Sequence, residues 1–278
     1  MVSRANYSGK AQVQRPIGVF DSGIGGLTVV REIIRCLPRE DIVYFGDTAR
    51  VPYGTKSPQT VVKFSVENAL FLLRFQVKVI VVACNTSSSY SIPVLQNDFR
   101  VPVIGVIYPG AGEAARATRN GRIGVIGTAA TIQSAAYEKE IRRINPRLKV
   151  FSQACPLFVS LVEEGWLKDR VTYEVAQRYL APLKEKKVDT VILGCTHYPL
   201  LKEVLQHVMG KGVTLIDSAR QVAAQVKELL AREGLISGRM KKANYQFYVS
   251  DESKKFAQTA EKFLGRAIRP IKKECDYV

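Results

Sequence analysis

Short β-branched runs alternate along this chain with segments whose apolar residues recur every three or four positions. Ile17 to Phe20, Val79 to Ala83, Val103 to Ile107, Ile123 to Ile126, Thr190 to Leu193 and Thr214 to Ile216 read as strands, because near-continuous apolar runs suit strands covered on both faces. Between them, Val62, Val66, Ala69, Leu70 and Leu73 fall at helical spacing and predict a helix laid against a sheet. The spacing recurs at Leu201, Val204, Leu205 and Val208, and at Val222, Val226, Leu229 and Leu230. Strands alternating with helices in this way predict mainly parallel sheets joined by crossover helices, the α/β class.

The pattern also repeats. Ile17-Gly18-Val19-Phe20-Asp21-Ser22 parallels Ile123-Gly124-Val125-Ile126-Gly127-Thr128, and Val81-Val82-Ala83-Cys84-Asn85-Thr86 parallels Ile192-Leu193-Gly194-Cys195-Thr196-His197. The offsets, 106 and 111 residues, predict two similar α/β units built in succession. Two such units facing each other would present two cysteine-bearing strand ends across one cleft.

Composition narrows the classes. With 278 residues, 46% of them hydrophobic, the chain can bury a large core and is not a disordered polymer. The N-terminal stretch through Arg15 is polar and basic with no apolar run after it, and no segment approaches the roughly 20 apolar residues of a membrane span. A soluble cytoplasmic protein without a membrane partner is therefore expected. The formal charge of +16 would favour encounters with anions. The basic residues are nonetheless dispersed, with a modest concentration near the end (Arg239, Lys241, Lys242, Lys254, Lys255, Lys262, Arg266, Arg269, Lys272 and Lys273), and aromatics do not interleave with them as a single-strand groove requires. That reads as solvated surface, not as a nucleic-acid partner. Five scattered cysteines contain no Cys-x-x-Cys pair, and Cys195 with His197 is the one close pairing, so neither a disulfide framework nor a metal centre is expected.

The polar clusters fall at the predicted strand ends, where ligands bind in open parallel sheets: Asp21-Ser22-Gly23, Cys84-Asn85-Thr86-Ser87, Gly127-Thr128 and Cys195-Thr196-His197-Tyr198. Gly23-Ile24-Gly25-Gly26 precedes a helix expected near Leu27, but it fails as a dinucleotide fingerprint. Thr28 stands where the third glycine belongs, and Asp21 would put a carboxylate against a pyrophosphate. A tight turn bringing backbone N–H groups close to a small ligand is the better reading. Asp21 is then a base, the partner of a base, or a helix N-cap.

Cys84 ends an apolar run and opens a stretch of Asn85, Thr86 and three serines, suited to a helix N-terminus. Such a position is expected to lower a thiol pKa from about 8.5 toward neutrality. Cys195 repeats the arrangement with His197 two residues on as a proton partner, whereas His207 falls in an amphipathic helix and reads as a surface residue. One Cys-His pair would suit a nucleophilic hydrolase. Two matched cysteines suit inversion of a stereocentre, which needs a base on one face and an acid on the other. A non-catalytic amino-acid-binding protein would share the cleft but has no use for paired thiols.

Five motifs in order carry a closer likeness: Phe20-Asp21-Ser22-Gly23-Ile24-Gly25-Gly26, Gly46-Asp47-Thr48-Ala49-Arg50-Val51-Pro52-Tyr53-Gly54, Ala83-Cys84-Asn85-Thr86-Ser87, Glu163-Glu164-Gly165 and Gly194-Cys195-Thr196-His197-Tyr198-Pro199-Leu200. From about Ile17 to Ser218 the chain resembles the glutamate racemases of the cofactor-independent aspartate/glutamate racemase superfamily. Aspartate racemases, the neighbouring alternative, share the pattern around the cysteines but usually lack the Pro-Tyr-Gly segment and the Cys-Thr-His-Tyr-Pro form.

The resemblance implies interconversion of L- and D-glutamate without a cofactor, with pyridoxal phosphate not required, and a supply of D-glutamate for peptidoglycan synthesis. It implies Cys84 and Cys195 as paired acid and base, Asp21 assisting Cys84, and His197 with Glu163 assisting Cys195. Asp21, Ser22, Tyr53, Gly54, Asn85, Thr86, Thr128, Thr196 and His197 would hold the amino acid. It further implies two similar three-layer α/β domains, with residues 1–107 plus 218–278 in the first, 108–217 in the second and the active-site cleft between them, and a homodimer.

Overall fold

A computed structural model describes residues 12–239, 242–251 and 256–272. The N-terminal stretch through Ala11, Lys241, Lys254, Lys255, Lys273 and Cys275 lie outside the described residues.

Among the described residues, ten strands form two wholly parallel sheets. The larger has the order β10-β9-β2-β1-β3-β4, with β1 (Ile17–Asp21), β2 (Ile42–Gly46), β3 (Val79–Val82), β4 (Val103–Gly105), β9 (Tyr245–Val249) and β10 (Ile271–Lys272). The smaller has the order β6-β5-β7-β8, with β5 (Arg122–Gly127), β6 (Lys149–Ala154), β7 (Thr190–Gly194) and β8 (Thr214–Ile216). The chain thus leaves the larger sheet after residue 105, builds the smaller and returns. Helices fill the crossovers, as parallel strands demand.

Period-two alternation decides which core each strand residue enters. On β1, Ile17 and Val19 point into the main core with Leu27, Val30 and Ile33 of the helix Leu27–Cys36, while Phe20 joins Val43, Phe45, Ile80 and Val82 on the opposite face. That second face is covered by Ala69 and Leu72 of the helix Pro58–Leu73 and Leu95 of the helix Asn85–Asp98. Each fully buried Leu, Ile or Val side chain contributes about 1.5–3 kcal/mol relative to exposure.

The sequence expectations differ from the structure in instructive places. β4 stops at Gly105, and Ile107 opens the helix Ile107–Ala117 instead of ending a strand. The buried stripe of the helix Pro58–Leu73 runs through Val61, Ser65, Asn68, Ala69 and Leu72, and Leu70 is half exposed. Two polar side chains occupy that stripe because each is bonded: the Ser65 hydroxyl donates to the Val61 carbonyl at 2.7 Å, and the Asn68 amide donates to the Tyr53 hydroxyl at 3.2 Å. Apolar counting therefore put the helix face about a residue out of phase. By contrast, Leu201, Val204, Leu205 and Val208 are all buried, as are Val222, Val226 and Leu230.

Candidate active site

In each sheet the strand order reverses once, between β1 and β3 in the larger and between β5 and β7 in the smaller. Loops leaving the carboxyl ends of strands diverge at such a point and leave a crevice. Asp21 ends β1, Cys84 follows β3, Thr128 follows β5 and Cys195 follows β7, so both reversals bring a cysteine to a crevice. The crevices meet in one cavity of about 430 Å³, lined by Ser22, Tyr53, Gly54, Cys84, Asn85, Thr86, Thr128, Glu163, Cys195, Thr196 and His197 together with Val51, Pro52, Leu157 and Val159. Of the catalytic and binding residues that the resemblance implies, Asp21 alone does not line it; it is fully buried, next to Ser22 in the chain.

Glycines make this convergence possible. A Cβ on Gly25 would lie 2.1 Å from Thr196 Oγ1 and 2.7 Å from His197 Nδ1, and one on Gly54 would lie 2.7 Å from Thr128 Cβ. The Gly-rich turn thus serves close approach of the opposite strand-end loop. Polar side chains tie the same seam. Thr86 and Thr128 hydroxyls are 3.0 Å apart, each also pairs with Thr131, and the Asn85 amide donates to the Tyr137 hydroxyl at 2.8 Å. Thr131 and Tyr137 escaped the sequence reading, because nothing local distinguishes a helical Thr or Tyr that meets a partner from the other sheet.

Cys84 caps the helix Asn85–Asp98, accepting the Ser87 N–H at 3.5 Å and donating to Ser22 Oγ at 3.4 Å. The expectation of a thiol lowered toward neutrality is overturned. Burial, reinforced by the Asp21 carboxylate, pushes Cys84 up to about 11, while Ser22 and Ser87 pull only weakly the other way. Asp21 is not the helix cap, since Gly26 occupies that position. Its Oδ2 accepts the Gly23 N–H at 3.0 Å, its Oδ1 has no hydrogen-bond partner among the described residues, and burial raises its pKa against the pull of His197 and nearby backbone N–H groups.

The second cysteine has different company. His197 Nδ1 lies 3.9 Å from Cys195 Sγ, and Nε2 lies 3.0 Å from Glu163 Oε1. Burial disfavours the imidazolium, but hydrogen bonding and charge from Cys195 and Glu163 outweigh it and push His197 up to about 10. His207 is exposed, as expected, with its ring edge-on to Tyr173. Cys36 and Cys155 are not among the cavity residues, and burial holds Cys155 well above the usual thiol range.

The lip formed by residues 51–55 is held from behind. Asp47 is fully buried and receives the Tyr53 hydroxyl, Arg50 at 2.6 Å and Ser250 at 2.9 Å, while Arg50 also pairs with Glu67. The Tyr53 hydroxyl is therefore committed to Asp47 and Asn68. Among the described residues there is no helix long and apolar enough to cross a membrane, and no group of three or more His, Cys, Asp or Glu placed to hold a metal.

Comparison with known proteins agrees with this geometry. The family profile described as Asp/Glu/Hydantoin racemase matches residues 17–226. A glutamate racemase of Geobacter metallireducens is 52% identical over 251 residues, covering 90% of this chain and 93% of that protein. The crystal structure of a Francisella tularensis glutamate racemase in complex with D-glutamate superposes with a TM-score of 0.91 at 41% identity, covering 96% of this chain and 100% of that one. A Thermus thermophilus glutamate racemase in complex with β-chloro-D-alanine gives 0.86 at 44% identity, covering 96% and 99%. With most of its length matched in sequence and in structure, the chain belongs to the Asp/Glu/hydantoin racemase family, among its glutamate racemases.

Proposed function

We propose that this protein interconverts L- and D-glutamate by a two-base proton transfer in which Cys84 and Cys195 act from opposite sides of the α-carbon. The observation that carries the reading is that two thiols, one from each sheet, line a single cavity together with hydroxyl, amide and backbone donors. One cysteine as thiolate takes the α-proton, the electron pair stays on the α-carbon and spreads into the carboxylate, and the other cysteine as thiol delivers a proton to the opposite face. The substrate is inverted and the two sulfurs have exchanged protonation states. Nothing is oxidised or reduced.

The α-proton is very weakly acidic, so positioning and carboxylate stabilisation must supply most of the catalysis. Ser22, Asn85, Thr86, Thr128 and Thr196 are the donors available, and bonds to a charged ligand are about twice as strong as neutral ones. The two sulfurs differ at rest. Cys84, pushed up to about 11, is suited to donate, whereas Cys195 has the His197 imidazole, pushed up to about 10, beside it as a proton partner. Asp21 would take the Cys84 proton when the roles reverse.

This reading includes the division into residues 1–107 plus 218–278 and residues 108–217, supported by sheets whose strands fall wholly on either side of those boundaries. The D-glutamate produced would enter peptidoglycan synthesis. The test is incubation of each glutamate enantiomer with the purified protein in heavy water without added cofactor. Loss of optical rotation with α-deuterium incorporation is expected; exchange with aspartate but not glutamate would move the substrate to the neighbouring enzymes of the family.

A further inference from the structure

The helix Phe256–Leu264 comes from the last part of the chain, beyond the residues matched by the family profile, yet it reaches the active site. Phe263 is fully buried, and its ring meets the His197 imidazole nearly at right angles, with centroids 5.2 Å apart and an interplanar angle of 78°. The main-chain end of that helix is pinned by Arg31, whose guanidinium donates to the Phe263 carbonyl at 3.3 Å. Ala260 and Leu264 are buried in the same core as Leu27 and Val30. The aromatic ring is thus placed by one sheet's helices against a histidine that follows a strand of the other.

We propose that Phe263 is a positioning residue for the reaction: it fixes the plane of the His197 ring so that one nitrogen faces Cys195 and the other faces Glu163. An imidazole has two useful directions, and both are used here, at 3.9 Å to Sγ and 3.0 Å to Oε1. A rotation about its ring bond would lose both at once. Edge-to-face packing sets that rotation, because aromatic pairs favour perpendicular or offset arrangements over stacking. Gly25 closes the remaining side, where any Cβ would strike Nδ1. The titratable groups the ring faces are Cys195 and Glu163, with Asp21 acting on it across the seam.

The proposal rests on the two-cysteine reading for its catalytic consequence, but its test does not need turnover. The chain has two histidines, so imidazole NMR of the full-length protein, with His207→Asn to assign the signals, follows His197 directly. In Phe263→Leu, which keeps apolar bulk and loses the ring, and in Phe263→Ala, the His197 midpoint is expected to fall by about one unit or more toward the ordinary imidazole range. Glutamate turnover should fall on the order of ten- to a hundredfold, with its pH optimum displaced. Leu264→Ala, on the same helix, serves as the control for general destabilisation. An unmoved midpoint in Phe263→Leu, or an equal movement in Leu264→Ala, overturns the positioning role. If the unaltered protein leaves glutamate unchanged while the midpoint still falls in Phe263→Leu, the functional reading fails and Phe263 keeps its hold on the ring.

Discussion

The loops carrying Cys84 and Cys195 leave equivalent strands of two parallel sheets, and their sulfurs end in opposite electrostatic company. Cys84 sits at the start of a helix of 14 residues with a buried carboxylate behind it. Cys195 is followed by a short turn of 3₁₀ helix, Tyr198–Leu201, with an imidazole beside it and Glu163 beyond. Backbone topology therefore sets where each thiol stands, whereas the neighbours set its proton inventory. A helix N-terminus, which favours a thiolate, loses at Cys84 because a fully buried sulfur next to an anion is hard to charge. The likeness of the two loops is geometric, and their difference lies in the neighbours: a buried carboxylate acts on Cys84, and an imidazole stands beside Cys195.

The sharpest break is to remove either sulfur. Cys84→Ser and Cys195→Ser should each lower glutamate racemisation by about 10²–10⁴-fold, measured by circular dichroism; a Cys-His hydrolase would tolerate loss of Cys84. Next, His197→Asn should cost on the order of ten- to a hundredfold and should also change stability with pH. Because the folded His197 is raised to about 10 from an ordinary 6.5, its stabilising contribution is fully present below about 6.5 and is lost as pH rises through about 10. Melting temperatures between those limits should fall less steeply in His197→Asn than in the unaltered protein.

Asp21→Asn separates the two sulfurs further. Removing a carboxylate that raises Cys84 should shift the midpoint for iodoacetamide alkylation of Cys84 downward. Burial acts first, so the midpoint should remain above that of a free thiol. Gly54→Ala would drive a Cβ against Thr128 and should destabilise the fold by about 1–3 kcal/mol in urea titrations, an effect on the seam common to both sites. The smallest change is expected for Thr131→Val, which deletes one member of the hydroxyl cluster and should cost about 0.5–1.5 kcal/mol with modest loss of turnover.

Much of this protein was legible in its sequence, for identifiable reasons. Alternating apolar runs read as a parallel α/β fold because a strand covered on both faces must be apolar throughout, and Cys84 and Cys195 stood out because reactive groups sit at the polar edges of such runs. β2, β6, β9 and β10 went unread. Of these, β6 is partly exposed along its whole length and shows no continuous apolar run. The likeness to a family supplied roles for Glu163 and Tyr53 that spacing alone did not.

Tertiary structure alone decided the rest. Whether Asp21 raises or lowers a thiol, whether the Tyr53 hydroxyl is free, and which aromatic meets His197 depend on residues 6 to 232 positions apart in the chain brought within a few ångströms. Sequence patterns record which side of an element is buried; charge and hydrogen bonding depend on what lies opposite. The opposing group belongs to another element, and its distance is set only when the sheets pack.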